Sequence, residues 1–157
     1  MGEAQHLRWD EQLRLAREQF EDGPDLTVAV EEEFAILDQT THGLVNRFEE
    51  LQAASAGTEL EGHLVGELIA SEVEIRTGRC DTFAEAAAKV AERRAQLLAL
   101  ADRVGVSLAG TGTHPWSPWQ EQRIIDTPHY RENDRVLRYV VWRNNTFGLH
   151  VLLRHTT

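Results

Sequence analysis

Between Thr27 and Phe34 the chain reads Thr27, Val28, Ala29, Val30, Glu31, Glu32, Glu33, Phe34, a run that favours a strand yet carries three carboxylates inside it. A strand that only had to pack would hold no acid there, so the charges need a reason. Alternation along a strand puts Glu31 and Glu33 on one face, about 7 Å apart, and Glu32 on the other. Two parallel carboxylates on a rigid element make a platform for a hard divalent cation, since Mg2+ takes a few carboxylates together with water and phosphate oxygens. From these residues alone an edge strand with a solvated, aggregation-resistant face stays open as the alternative.

Composition narrows the partners. A chain of 157 residues can bury one core and is short for two, so residues 1–157 are read as a single domain, or part of one, with 1–23 as a helical extension. The 26 acidic against 16 basic residues give a formal charge of -10, which repels nucleic acid and anionic membranes. No nucleic-acid or membrane partner is expected. Cys80 is the only cysteine, which rules out an intrachain disulfide, and no apolar run approaches the ~20 residues of a membrane span. The opening residues lack the apolar core of a signal peptide, and a reducing, cytoplasmic setting follows.

Along the chain, Gly2 to Phe20 reads as a helix ended by Gly23-Pro24. The acidic strand continues to Asp38, a short helix follows near Asn46 to Ala54, and Glu59 to Thr77 is strand-like with acids interrupting apolar residues. Thr82 and Glu85 have capping-box spacing, and Phe83, Ala87, Val90, Leu97, Ala101 and Val104 recur at helical intervals up to the natural stop at Gly105. A short strand over Val106 to Leu108 runs into the glycine-rich turn Gly110 to Pro115, where backbone can approach a ligand closely. A helix over Tyr130 to Arg143 and a strand over Phe147 to Leu153 complete the pattern.

Four segments together carry a resemblance: Val28 to Phe34, Ser71 to Thr77 with Cys80, Gly112-Thr113-His114-Pro115, and Trp142 to Val151. In order and spacing they resemble the N-terminal portion of the carboxylate-amine ligase branch of the glutamate-cysteine ligases. The resemblance implies an α+β fold, an antiparallel sheet with outer helices similar to part of the catalytic domain of glutamine synthetase. It also implies an ATP-dependent ligase using Mg2+, with glutamate and cysteine or another amine as small-molecule substrates, and leaves a homo-oligomer open. Such chemistry needs converging carboxylates, because metal ions must neutralise the triphosphate and the transferring phosphoryl group.

By that resemblance Glu31, Glu33, Glu67 and Glu74 are metal ligands, joined by His150, which with Arg143 sits near nucleotide phosphate or metal. Arg143 is also the candidate catalytic residue, since a guanidinium is always charged and grips phosphate bidentately. Thr113 and His114 belong to a substrate-facing turn. Glu67 lies seven residues before Glu74, an odd spacing that needs a bulge or turn between them to share a face. Glu72 is read as an outward neighbour of Glu74 and left out of the site, Cys80 as a packing residue, and Trp116, Trp119 and Trp142 as core or rim aromatics. Each has a plain counterpart: His114 or His150 as a structural histidine, Arg143 as the partner of an acid.

The departures are specific. Where the family runs His, Val, His, Val, this chain has His150, Val151, Leu152, Leu153, and Ala29 stands where a glycine is common. Only four residues follow Leu153, so the chain corresponds to the first part of such enzymes, and little or no ligase activity is expected from it alone. Two other classes remain alternatives: a metal-dependent hydrolase using the same Glu and His residues, and a non-catalytic acidic interaction domain whose carboxylates are solvated surface.

Overall fold

The acidic run forms the central strand of the sheet, β1 (Val28–Leu37). The structure is a computed structural model describing residues 8–21 and 23–154. One edge of β1 pairs with β3 (Glu72–Arg76), beyond which lies β2 (Leu64–Val65). Its other edge is shared between β5 (Leu149–Leu153) along the N-terminal half and β4 (Ser107–Ala109) along the C-terminal half. Every pairing is antiparallel. With its flanking helices this is an α+β fold.

Register decides what each face carries. Glu31 lies opposite Arg76 on one side and His150 on the other, Glu33 opposite Glu74, and Ala35 opposite Glu72. Directly paired residues share a face, so acids from two strands and one histidine gather on one side of the sheet. The other side carries Phe34, Ile36, Val73, Ile75 and Leu64, and the helices cover it. There α3 (Phe83–Val104) and α2 (Phe48–Ser55) contribute Leu97, Leu100, Ala101, Phe48 and Leu51 to one buried cluster. At about 1.5–3 kcal/mol for each large aliphatic side chain removed from water, this face is the main source of stability.

The helix α3 forms where its sequence signals place it. Thr82 accepts a hydrogen bond from the Glu85 N–H, the Glu85 side chain accepts from the Asp81 N–H, and Gly105 closes the C-terminus in the left-handed region at φ 78°. The N-terminal helix, α1 (Trp9–Glu21), leaves Trp9, Leu13 and Phe20 exposed, and the part of the expected helix before residue 8 lies outside the described residues. Among the described residues no helix is long and apolar enough to cross a membrane.

Two expected elements are broken. The helix expected over Tyr130 to Arg143 is two pieces, α4 (Pro128–Leu137) and α5 (Tyr139–Trp142), because Arg138 takes φ 47° and cannot continue an α-helix. The strand-like stretch from Glu59 to Thr77 begins with turns, forms β2 for two residues, then leaves the sheet until β3. Between them Gly66 lies against Phe48 and Ile125, where an added Cβ would come within 2.6 Å of the phenyl ring. The smaller shifts are at element ends: β4 starts at Ser107 rather than Val106, and β5 at Leu149 rather than Phe147.

Candidate functional site

The side of the sheet turned away from α2 and α3 is a carboxylate face, largely buried. Glu31 and Glu33 project from β1, Glu72 and Glu74 from β3, and His150 from β5, each placed by the two-residue period of its strand. One ligand atom from each of Glu31, Glu74 and His150 lies within 4.8 Å of the others. Opposite ligands of an octahedral Mg2+ stand about 4.2 Å apart, so a small contraction would close these three on an ion. Glu33 stands beside them, its Oε1 3.8 Å from His150 Nδ1 and its Oε2 accepting from the Gly148 N–H.

Gly148 is what allows this approach. A Cβ there would sit 2.9 Å from His150 Nε2 and 3.3 Å from Glu33 Oε2. Any side chain would push the imidazole and the carboxylate apart.

Glu67 joins the same face because the chain leaves the sheet between β2 and β3, which supplies the break its odd spacing requires. With Glu33, Glu72, Thr146, Gly148 and His150 it lines a cleft of about 270 Å³. Tyr130 on α4 reaches the cleft as well, its hydroxyl 3.3 Å from the Gly66 carbonyl and 3.5 Å from Glu67 Oε2. Burial, with the charge of Glu67 behind it, pushes the Tyr130 phenol up to about 12.

The reading of Glu72 as an outward neighbour is corrected. Residues two apart on a strand share a face, so Glu72 lies with Glu74, and it is buried to 2 % exposure. Burial first, and then the adjacent Glu33, raise its carboxyl to about 9. Among the described residues its Oε1 has no hydrogen-bond partner. A buried carboxylate oxygen without a partner is costly unless something else balances it. Burial also raises Glu74, against the lowering effect of the Arg76 guanidinium. The donor set of Glu31, Glu74 and His150 fits a divalent cation through carboxylate oxygens suited to Mg2+, and Glu72 lies in the adjoining cleft. The imidazole broadens the choice toward Mn2+.

Arg76 was not among the residues singled out from sequence. It lies opposite Glu31 and puts Nε 2.5 Å from Glu74 Oε1 and 3.3 Å from Glu31 Oε1. The same period that groups Glu72 with Glu74 extends to Arg76 and could have found both.

Glu32 faces the other way, as its parity requires. Arg94 on α3 binds it through two hydrogen bonds, Nε to Oε2 at 2.7 Å and Nη2 to Oε1 at 2.6 Å. This pair ties β1 to its covering helix and takes no part in the carboxylate face.

The remaining expected site residues are engaged locally. Arg143, at the end of α5, donates to the Tyr139 hydroxyl and lies over that ring, 5.4 Å from its centre. His114 has both ring nitrogens on backbone: Nε2 is 2.9 Å from the His42 carbonyl, and Nδ1 accepts from the Ser117 N–H at 3.0 Å. Thr113 donates its hydroxyl to the Asn145 carbonyl and bridges to Thr146. These contacts anchor the Gly110–Gly112 turn beside β5, where Glu33, Thr111, Phe147 and Gly148 help line a second cleft of about 240 Å³. Cys80 packs against Val28 and Ala86. Trp116 is exposed and edge-on to His114, and Trp119 is edge-on to Tyr139.

The two positions at which the sequence departs from the resemblance meet in space. Leu152 pairs directly with Ala29 on β1. The carboxylate face thus ends in an aliphatic pair beyond His150.

Residues 27–154 match the model of glutamate-cysteine ligase family 2. A protein of Rubrobacter xylanophilus named "Putative glutamate--cysteine ligase 2-2" is 43 % identical over 138 residues, covering 87 % of this chain and 35 % of the relative. A second from the same organism, "Putative glutamate--cysteine ligase 2-3", is 41 % identical over 128 residues, 82 % of this chain and 35 % of its own length. "Putative glutamate--cysteine ligase 2" of Polaromonas naphthalenivorans is 30 % identical over 137 residues, 87 % of this chain and 36 % of its own. The chain spans about a third of the length of these curated relatives. The family match runs from the residue before β1 to the residue after β5, and so over every strand that builds the carboxylate face: the chain belongs to glutamate-cysteine ligase family 2.

Proposed function

We propose that the carboxylate face is part of the site of an ATP-dependent carboxylate-amine ligase, one that joins the side-chain carboxylate of glutamate to cysteine or another amine. The observation that supports this most directly is the burial of Glu33, Glu72 and Glu74 together on one sheet face beside Glu31 and His150. A solvated acidic interaction surface would not bury three carboxylates side by side.

The reaction has two transfers. A glutamate side-chain oxygen attacks the γ-phosphorus of ATP, breaking its bond to the bridging oxygen and releasing ADP. The amine then attacks the acyl carbon, and phosphate leaves with the electrons of the carbon–oxygen bond, while the amine proton passes to solvent or a base. Glu31, Glu74 and His150 would hold a cation, with Glu33 beside them. Mg2+ bound there would neutralise charge on the transferring phosphoryl group. Tyr130 holds Glu67 in place, and Gly148 lets Glu33 and His150 approach each other. Arg143 would have to leave Tyr139 to reach a phosphate. The Gly110–Gly112 turn, anchored by Thr113 and His114, offers backbone groups to the second cleft, where a small zwitterionic substrate would fit.

Calorimetric titration of the chain with Mn2+ and Mg2+ tests the reading. Saturable binding is expected, weakened about tenfold or more by Glu31→Gln and by Glu33→Gln. The isolated chain, lacking the rest of the relatives' length, is expected to release little or no ADP from ATP, glutamate and cysteine. Ion affinity untouched by both substitutions would remove the carboxylate-face reading, and amine-dependent ADP release by the chain would refute the expected inactivity.

A further inference from the structure

The guanidinium of Arg76 lies where a cation would lie. It is 2.5 Å from Glu74 Oε1 and 3.3 Å from Glu31 Oε1, two of the three side chains whose ligand atoms converge within 4.8 Å. The pairing is set by register, since Arg76 is directly opposite Glu31 on β3 and two residues beyond Glu74 on the same face. Its side chain is 44 % exposed while that of Glu74 is 3 % exposed. The carboxylate is thus fixed in the protein and the guanidinium stands at the mouth, free on its outer side to turn toward solvent.

Charge makes the two occupants exclusive. Glu31 and Glu74 bring two negative charges, and Arg76 cancels one of them. A divalent ion entering between them would meet half the compensation and a like charge within a few ångströms. Once the ion holds both carboxylates, the guanidinium is released with its donors unfilled, at the edge of a cleft already crowded with acids. A phosphate group is the ligand that suits it, because the planar fork matches two phosphate oxygens.

We propose that Arg76 is the resident counter-ion of this face, which competes with divalent cations for Glu31 and Glu74 until a phosphate-bearing ligand arrives with them and takes over the guanidinium. Metal and polyphosphate then bind as a mutually dependent pair, each improving the other by the same factor. The inference rests on the cation-site reading above and adds to it a residue with a distinct role.

Two titrations give opposite signs. With Mn2+ alone, Arg76→Gln is expected to bind about tenfold more tightly than the native chain, because the competitor is gone. With the preformed Mg2+ complex of inorganic tripolyphosphate, in excess Mg2+, the same variant is expected to bind about tenfold more weakly, because the phosphate has lost its partner. Arg76→Lys keeps the charge without the fork: it should stay close to the native chain for Mn2+ and weaken binding of the complex, and it serves as the working variant if Arg76→Gln does not fold. A residue that merely supports the strand would shift both titrations in one direction, and that result overturns the proposal. Mn2+ binding by the native chain that Arg76→Gln leaves unchanged overturns it too, with the cation site intact. No ion binding by any of the three proteins removes the cation site and this inference together.

Discussion

Glu32 and Glu72 are both glutamates on adjacent strands of one sheet, and the sheet treats them oppositely. Glu32 points under α3, where Arg94 meets both its oxygens. Glu72 points to the other side, buried among acids, its Oε1 without a partner among the described residues and its carboxyl raised to about 9. One face uses a carboxylate to join two elements. The other keeps carboxylates close together at the expense of stability, as binding sites commonly do.

The sharpest way to test that division is to damage the helix-covered face alone. Leu97 on α3 is 1 % exposed and lies in the cluster with Ile36, Val73 and Ile75. Leu97→Ala should lower unfolding free energy by about 2–5 kcal/mol through lost burial and the cavity left behind. Urea denaturation would measure it, and below the transition Mn2+ affinity should be unchanged. A loss of ion binding in the folded variant would show that the two faces are not separable.

The second test reverses the sign. Burial, and then the adjacent Glu33, push the Glu72 carboxyl from its ordinary 4.5 up to about 9 on folding. A carboxyl raised on folding favours the folded state below its unfolded pKa, and that contribution is lost as pH rises from 4.5 toward 9. Glu72→Gln imitates the protonated form without titrating. It should be near neutral at the acid end of that window and stabilise by at least about 2 kcal/mol at its alkaline end. Equal effects at both ends would show that Glu72 is not held protonated by its surroundings.

What the sequence reveals of this division follows from local rules, and what it hides depends on register. The opposed directions of Glu31 and Glu32 follow from strand parity alone, as does the need for a break before Glu74 if Glu67 is to join it. The capping pattern at Thr82 and Gly105 marks α3 to within a residue. Glu72 and Arg76 obey the same parity, but a search for acids that bind metal passes over an arginine, and an acid read as solvated is not followed to its face. That His150 stands opposite Glu31, and Leu152 opposite Ala29, is set by pairing across more than a hundred residues, which no local pattern encodes. The break at Arg138 escaped for another reason: the apolar spacing from Tyr130 to Trp142 is helical, and only tertiary packing imposes the positive φ.

The smallest effect closes the comparison. Glu32→Gln keeps the size of the side chain and removes the charge that Arg94 holds. The Glu32 side chain is 11 % exposed and that of Arg94 49 %, so water already screens one partner. The loss should therefore be about 1 kcal/mol, well below what a fully buried pair would show. It should persist across the pH window in which Glu72→Gln changes from neutral to stabilising. Thermal melts of the two variants side by side at pH about 8 would give shifts of opposite sign for the same chemical substitution on neighbouring strands. If both stabilise, the Arg94 pair contributes nothing to the fold, and the helix-covered face owes its stability to apolar burial alone.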